Sequence, residues 1–158
     1  MIQIGIDNIP IQLLSKKYEI PICTKAVWDK LKICNNDTSC RLLLGDTDIF
    51  PNEQVLLTEA YKAGINKIRE QLKLTVPYYP SEDSKDTVKY DRYTVSDKLV
   101  SDYANMNIYE IDKISILEYW CLERDAFIYL LSRTEKGREY LNNAYRVSYT
   151  EMDENIQI

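Results

Sequence analysis

Apolar residues recur at offsets of three and four along most of this chain, and polar punctuation divides the pattern into helices. From Pro51 to about Lys73, Leu57, Tyr61, Ile65, Ile68 and Leu72 fall on one side, and Pro51 stands in the first turn, where a helix tolerates proline. A long amphipathic helix is predicted there. Upstream, Thr24 has the position of an N-cap, with Ala26, Val27, Leu31 and Cys34 following at helical spacing, which predicts a short first helix. Asn35 to Ser39 read as a polar loop, because such side chains bond locally to the backbone, and Leu42 to Leu44 as a brief helix or strand. Downstream, Ser96 predicts a cap for a short helix through Asp97 to Asn105, and Asn107 one for a longer helix from Ile108 to about Leu131. Ser132 with Glu135 resembles a capping box, so the chain restarts there into a final helix from Glu135 to Arg146.

Residues 1–22 carry Pro10 and Pro21, and Met1 to Ile6 alternate apolar with polar as a short strand or extended arm would. Val76 to Thr94, with two prolines, a charge cluster and Tyr78, Tyr79, Tyr90 and Tyr93, reads as a long connection. Val147 to Ile158 reads as an extended polar tail. The expected fold is mainly α: one helical domain over residues 1–158, a small bundle with a long central helix, an extended arm at 1–22 and a tail at 147–158. No internal repeat is visible.

The segment Ile108 to Leu131 carries the most information. Advancing 100° per residue leaves only Ser115, Glu118, Asp125 and Ser132 on a clearly polar stripe. A helix apolar over so much of its circumference is either the centre of its own domain or packed against a second protein. Arg124 falls on the same wheel among Leu117, Trp120, Phe127, Ile128 and Leu131, where an unpaired charge would cost several kcal/mol. Three accounts compete: a buried pair with an intrachain carboxylate, a stem that reaches out to solvent, or an anchor in a contact with another chain. Glu123, on the adjacent arc near Ile116, Tyr119 and Leu130, raises the same question with the opposite sign.

Composition narrows the function. Of 158 residues 45% are hydrophobic and 28% charged, with 4 Gly and 5 Pro, which is a composition that folds. The net charge of −5 argues against broad nucleic-acid binding, and no sequence-specific nucleic acid is expected as a partner. No basic leader and no apolar run of membrane-spanning length is present, so neither secretion nor a membrane is expected. Cys23, Cys34, Cys40 and Cys121 lack paired zinc-site spacing and read as reduced structural thiols. The absence of histidine removes the commonest general base and metal ligand, and no phosphate loop, dinucleotide turn or nucleophile elbow occurs. Asp46 and Asp48, with help from Asp37, are the best candidates for a hard cation, but a turn ahead of Pro51 explains them more simply. No catalytic residue, cofactor or metal is therefore expected. The 13 tyrosines suit a protein interface, although Ile, Lys, Asn and Tyr are plentiful together, as an AT-rich genome alone would produce.

With the long helix, the tyrosine-bearing loop and the run ERDAFIYLLSRTEKGREYLNNAYRVSYTEMD in place, the chain resembles the small helical connector, or adaptor, proteins that form a ring beneath the portal of tailed bacteriophages. The resemblance covers about the last two thirds of the chain. It implies a structural, non-enzymatic subunit in the neck of a virion, made in the host cytoplasm, assembled as a homo-oligomeric ring and joined to portal and tail proteins through the Val76 to Thr94 loop and the termini. Its candidate interface residues are Arg124, Glu123, Trp120, Tyr78, Tyr79, Tyr90 and Tyr93. A cytoplasmic regulatory or inhibitory binding module is the second reading, and an enzyme built on converging carboxylates the third. The wheel makes one prediction: Arg124→Ala should destabilise the fold or the assembly, read as unfolding midpoint or solution mass, far more than Lys62→Ala, and equal small effects would show that the wheel misplaces Arg124.

Overall fold

The computed structural model describes residues 4–14, 16–45, 48–80 and 92–156, with side chains given outside 92–94 and 149–156. Its order is β1 (Asn8–Leu13), β2 (Lys16–Pro21), α1 (Lys25–Leu31), α2 (Asn36–Leu44), α3 (Pro51–Gln71), α4 (Arg92–Ala104), α5 (Ile108–Ile111), α6 (Ile116–Ser132) and α7 (Glu135–Ile156). The protein is mainly helical with one small sheet, and contacts divide it into two compact units. The first unit comprises Met1–Leu74 with Asn107–Trp120, and the second comprises Thr75–Met106 with Cys121–Ile158.

In the first unit, residues 8–21, expected as part of an extended arm, form an antiparallel hairpin in which Ile9 faces Ile20 and Ile11 faces Tyr18. The period-2 alternation buries Ile9, Ile11 and Ile20 and turns Pro10 and Gln12 outward. A two-stranded hairpin is marginal by itself, so its stability comes from packing β1 on α3. Gly64 permits the approach: a Cβ there would lie 2.9 Å from Ile9 Cγ2. One turn earlier on α3, Tyr61 is wholly buried, and its hydroxyl donates to the Pro21 carbonyl (2.8 Å) while accepting from the Cys23 amide (2.9 Å). It satisfies the two backbone groups left open where the chain leaves β2, which would otherwise be buried without partners.

Thr24 caps α1 as its side chain predicts. The next two amides, Lys25 and Ala26, donate to the carbonyls of Ile114 (2.9 Å) and Asp112 (3.2 Å), and Ile116 N–H returns a bond to Cys23 O (2.9 Å). This exchange breaks the helix expected from Ile108 to Leu131. Asn107 makes a full capping box with Glu110 but launches a single turn, residues 112–115 turn aside to pair with the start of α1, and Ser115 caps α6 through Glu118 N–H (3.1 Å). Lys25 is closed into the same junction, 6% exposed, its Nζ 2.7 Å from Asp29, 3.9 Å from Asp112 and 5.0 Å above the Tyr119 ring.

The polar run Asn35 to Ser39, expected as a loop, is instead the start of α2. Asn35 serves as N-cap to Thr38 (2.8 Å), which converts local side-chain bonding from a competitor of the helix into its first turn. Ser39 and Cys40 face inward, and the Cys40 thiol lies 3.7 Å from Thr58 on α3. Helix α3 matches its predicted span and closes with Lys73 at φ 52° and Leu74 N–H on Arg69 O (2.9 Å), a left-handed helix stop.

In the second unit, α4 begins at Arg92, so Ser96 lies inside the helix rather than capping it, and the expected connection ends before Thr94. Residues 81–91 of that connection, Tyr90 among them, lie outside the described residues. The restart after α6 is capped by Thr134, which accepts from Gly137 N–H (3.0 Å), while Ser132 turns back to Tyr129 O. Thr134 wins over the predicted Ser132 because it stands three residues before an amide that no larger residue could bring so close. A Cβ at Gly137 would fall against the Leu131 carbonyl oxygen. Helix α7 then continues to Ile156, so most of the expected extended tail at 147–158 is helical. That stretch holds neither Gly nor Pro to stop a helix.

Two outcomes test this account. Tyr61→Phe should cost about 2 kcal/mol, since two buried backbone groups lose their partner. Burial raises the Tyr61 pKa above its ordinary 10.0 and the Cys23 pKa above its ordinary 9.0. Both groups stay protonated in the folded state while the unfolded chain ionises, so their contribution is complete below about pH 9 and declines as pH rises beyond it. Denaturant midpoints across that range should fall more steeply for the wild type than for Tyr61→Phe. Gly137→Ala should cost more than about 2 kcal/mol despite alanine's better helix propensity, because its methyl meets backbone; a neutral thermal shift would refute the α6–α7 corner.

Candidate protein interface

Helix α6 is apolar around most of its circumference, and the structure treats its two halves differently. Ile116, Leu117, Tyr119, Trp120 and Cys121 are all less than 10% exposed. Trp120 meets Trp28 edge-on at 5.3 Å and carries the Arg69 guanidinium 4.1 Å above its ring. This half is the centre of a core, and Trp120, expected at an interface, has no surface to offer a partner. Seven residues on, Ile128, Tyr129 and Leu130 are 36%, 56% and 49% exposed. Successive residues lie about 100° apart, so these three leave the end of the helix exposed in more than one direction.

Tyr103 on α4, itself 44% exposed, lies against Tyr129 with ring centroids 5.8 Å apart, and the Arg133 guanidinium stands 5.8 Å from the same ring. The result is an exposed aromatic pair on two helices with a cation at its margin, a composition enriched in protein interfaces. Exposed residues of this size standing together mean more than scattered ones.

Arg124 is half-buried and keeps its charge partner within the chain. Its Nε and Nη2 lie 3.0 and 2.9 Å from Asp125 Oδ1, and Nη2 lies 3.6 Å from the Cys121 thiol. The wheel placed Arg124 and Asp125 on different arcs, but the long arginine stem bends across to its neighbour. Solvent reaches both side chains, so the loss expected for Arg124→Ala falls to about 1 kcal/mol, nearer to Lys62→Ala than the wheel implied. Glu123 is also half-buried.

Tyr78 is 67% exposed, whereas Tyr79 is held edge-on to Tyr140 at 6.0 Å and donates its amide to the Tyr140 hydroxyl at 2.9 Å. Tyr93 lies on the first turn of α4. Tyr90 lies outside the described residues. The exposed pair Tyr103 and Tyr129, with Ile128 and Leu130 exposed on either side of Tyr129, was missed because helical spacing shows which side is apolar and not how far along the helix the cover extends.

The remaining chemistry is sparse. Burial pushes the Cys23 and Cys40 thiols up, away from the thiolate form that reacts. Asp37 is engaged by Arg41 (3.2 Å) and Gln54 (3.0 Å), Asp48 is exposed, and Asp46 lies outside the described residues. Among the described residues no group of three His, Cys, Asp or Glu is placed to hold a metal ion, and no helix is long and apolar enough to cross a membrane. One shallow depression of about 490 Å³ runs along the α7 face of Glu135, Arg138, Glu139, Asn142 and Arg146, polar throughout. No protein-family model matches the chain, and neither the curated proteins nor the solved structures contain a significant match.

Proposed function

We propose that this chain is a non-catalytic structural subunit that works by binding other protein chains, and that it serves as a head-to-tail connector, assembling as a ring on a phage portal and joining it to the tail. The observation that carries the binding role is the end of α6, where Ile128, Tyr129 and Leu130 are all left exposed and Tyr129 meets Tyr103 of α4, apolar area that is held in water only at a cost. The finer assignment to a connector rests on the resemblance of the C-terminal run and on the acidic charge, which would keep a ring from holding DNA that passes through it.

Light scattering on the purified protein over a range of concentrations tests this reading. A mass of many subunits is expected, and Tyr129→Ser with Leu130→Ser should reduce it while changing stability by no more than about 0.5 kcal/mol. A strict monomer at every soluble concentration would overturn the self-assembling ring in favour of a binding module directed at some other protein.

A further inference from the structure

Two surfaces of the first unit are each apolar, each exposed, and opposite in charge. At the hairpin tip Leu14 is 87% exposed and held at φ 52°, a left-handed conformation that leucine adopts only against steric cost. The residues beside it include Lys16 and Lys17, both exposed, and no acid occurs between Gln12 and Tyr18. A two-residue turn ordinarily uses Asn or Gly at such a position, so a leucine there sacrifices turn chemistry for an outward apolar knob.

The complementary surface is the first half of α3. Helical spacing puts Asn52, Val55, Leu56 and Glu59 on one side, with Val55 44% and Leu56 58% exposed and Phe50, just before the helix, 70% exposed. From Leu42 to Tyr61 the sequence holds Asp46, Asp48, Glu53 and Glu59 and no Lys or Arg, and both Asp48 and Glu59 are exposed. The positive end of the helix dipole fades within the first turn, short of Glu59. Within one chain the tip is not seated on this face, because Leu14 is almost fully exposed.

We infer that the hairpin tip of one copy docks on the first half of α3 in a second copy, with Leu14 among Phe50, Val55 and Leu56 and the two lysines toward Asp48 and Glu59. The inference rests on the structural-subunit reading and names one contact within it. The two surfaces differ, so the contact is heterologous: each copy offers one knob and one seat, and repetition closes a ring or extends a filament. Charge complementarity favours a second copy over an anionic lipid surface, which would engage the knob and its lysines but leave the acidic seat empty.

The test places a photoreactive benzoylphenylalanine at position 14, mixes isotope-labelled with unlabelled full-length protein, and maps the adducts by mass spectrometry. Adducts between copies at residues 48–59 are expected. Lys16→Glu with Lys17→Glu should lower their yield about tenfold, and adding Asp48→Lys with Glu59→Lys to the same chain should restore it. Leu14→Asn, tested separately by light scattering, should weaken association while leaving the melting temperature unchanged or higher. Adducts confined to one chain, adducts elsewhere, no adducts, or adducts that appear only with added phosphatidylserine vesicles would each overturn the contact. A multi-subunit mass with adducts elsewhere would sink this contact and spare the structural reading, whereas a monomeric mass with adducts at 48–59 would do the reverse.

Discussion

The Tyr61 hydroxyl occupies the point on which the first unit turns. Its ring sits wholly buried on α3, and its oxygen serves the last carbonyl of the hairpin and the amide of Cys23 together. Between those two groups the chain stops being a strand and prepares to be a helix, so neither group has a regular partner of its own. Without the hydroxyl, the hairpin could still pack Ile9 against Gly64, but the residues that follow would lose the position from which Cys23 and Lys25 bond to residues 114 and 116.

That position explains why some of the fold is legible in the sequence and some is not. Helix α3, the Thr24 cap and the Asn107 cap are local: spacing and one side chain specify them. The split between α5 and α6 is not local, because Ser115 leaves the helix to pair with Thr24, ninety residues away in the chain, and nothing in the periodicity of 108–131 records that. Asn35 and Ser132 show a subtler limit. Both are cap-forming types, but the first begins a helix where a loop was expected, and the second yields to Thr134 because Gly137 alone allows the next turn to approach Leu131.

The candidate interface was half legible for the same reason. The apolar circumference of α6 correctly signals more burial than one face requires, yet only packing shows that Trp120 is spent internally while Leu130 is not. Arg124 has a charge partner within the chain in its neighbour Asp125, which the wheel had placed on a different arc. The exposed face of α3 was hidden because its opening residues satisfy a good amphipathic pattern; the exposure of Val55 and Leu56 emerges only when the neighbouring elements are seen to cover the other side.

The pairing of residues 23–26 with 112–116 also has a meaning for the order of events during synthesis. Residues 75–106, which belong to the other unit, leave the ribosome before the strip that completes the first. Until residue 114 has emerged, the first amides of α1 do not have both of their carbonyls to meet, and the N-terminal hairpin with α1 to α3 is an unfinished core. Closing so long an intervening stretch costs only slowly rising entropy, but it makes the late segment, rather than the early one, the step that commits the fold.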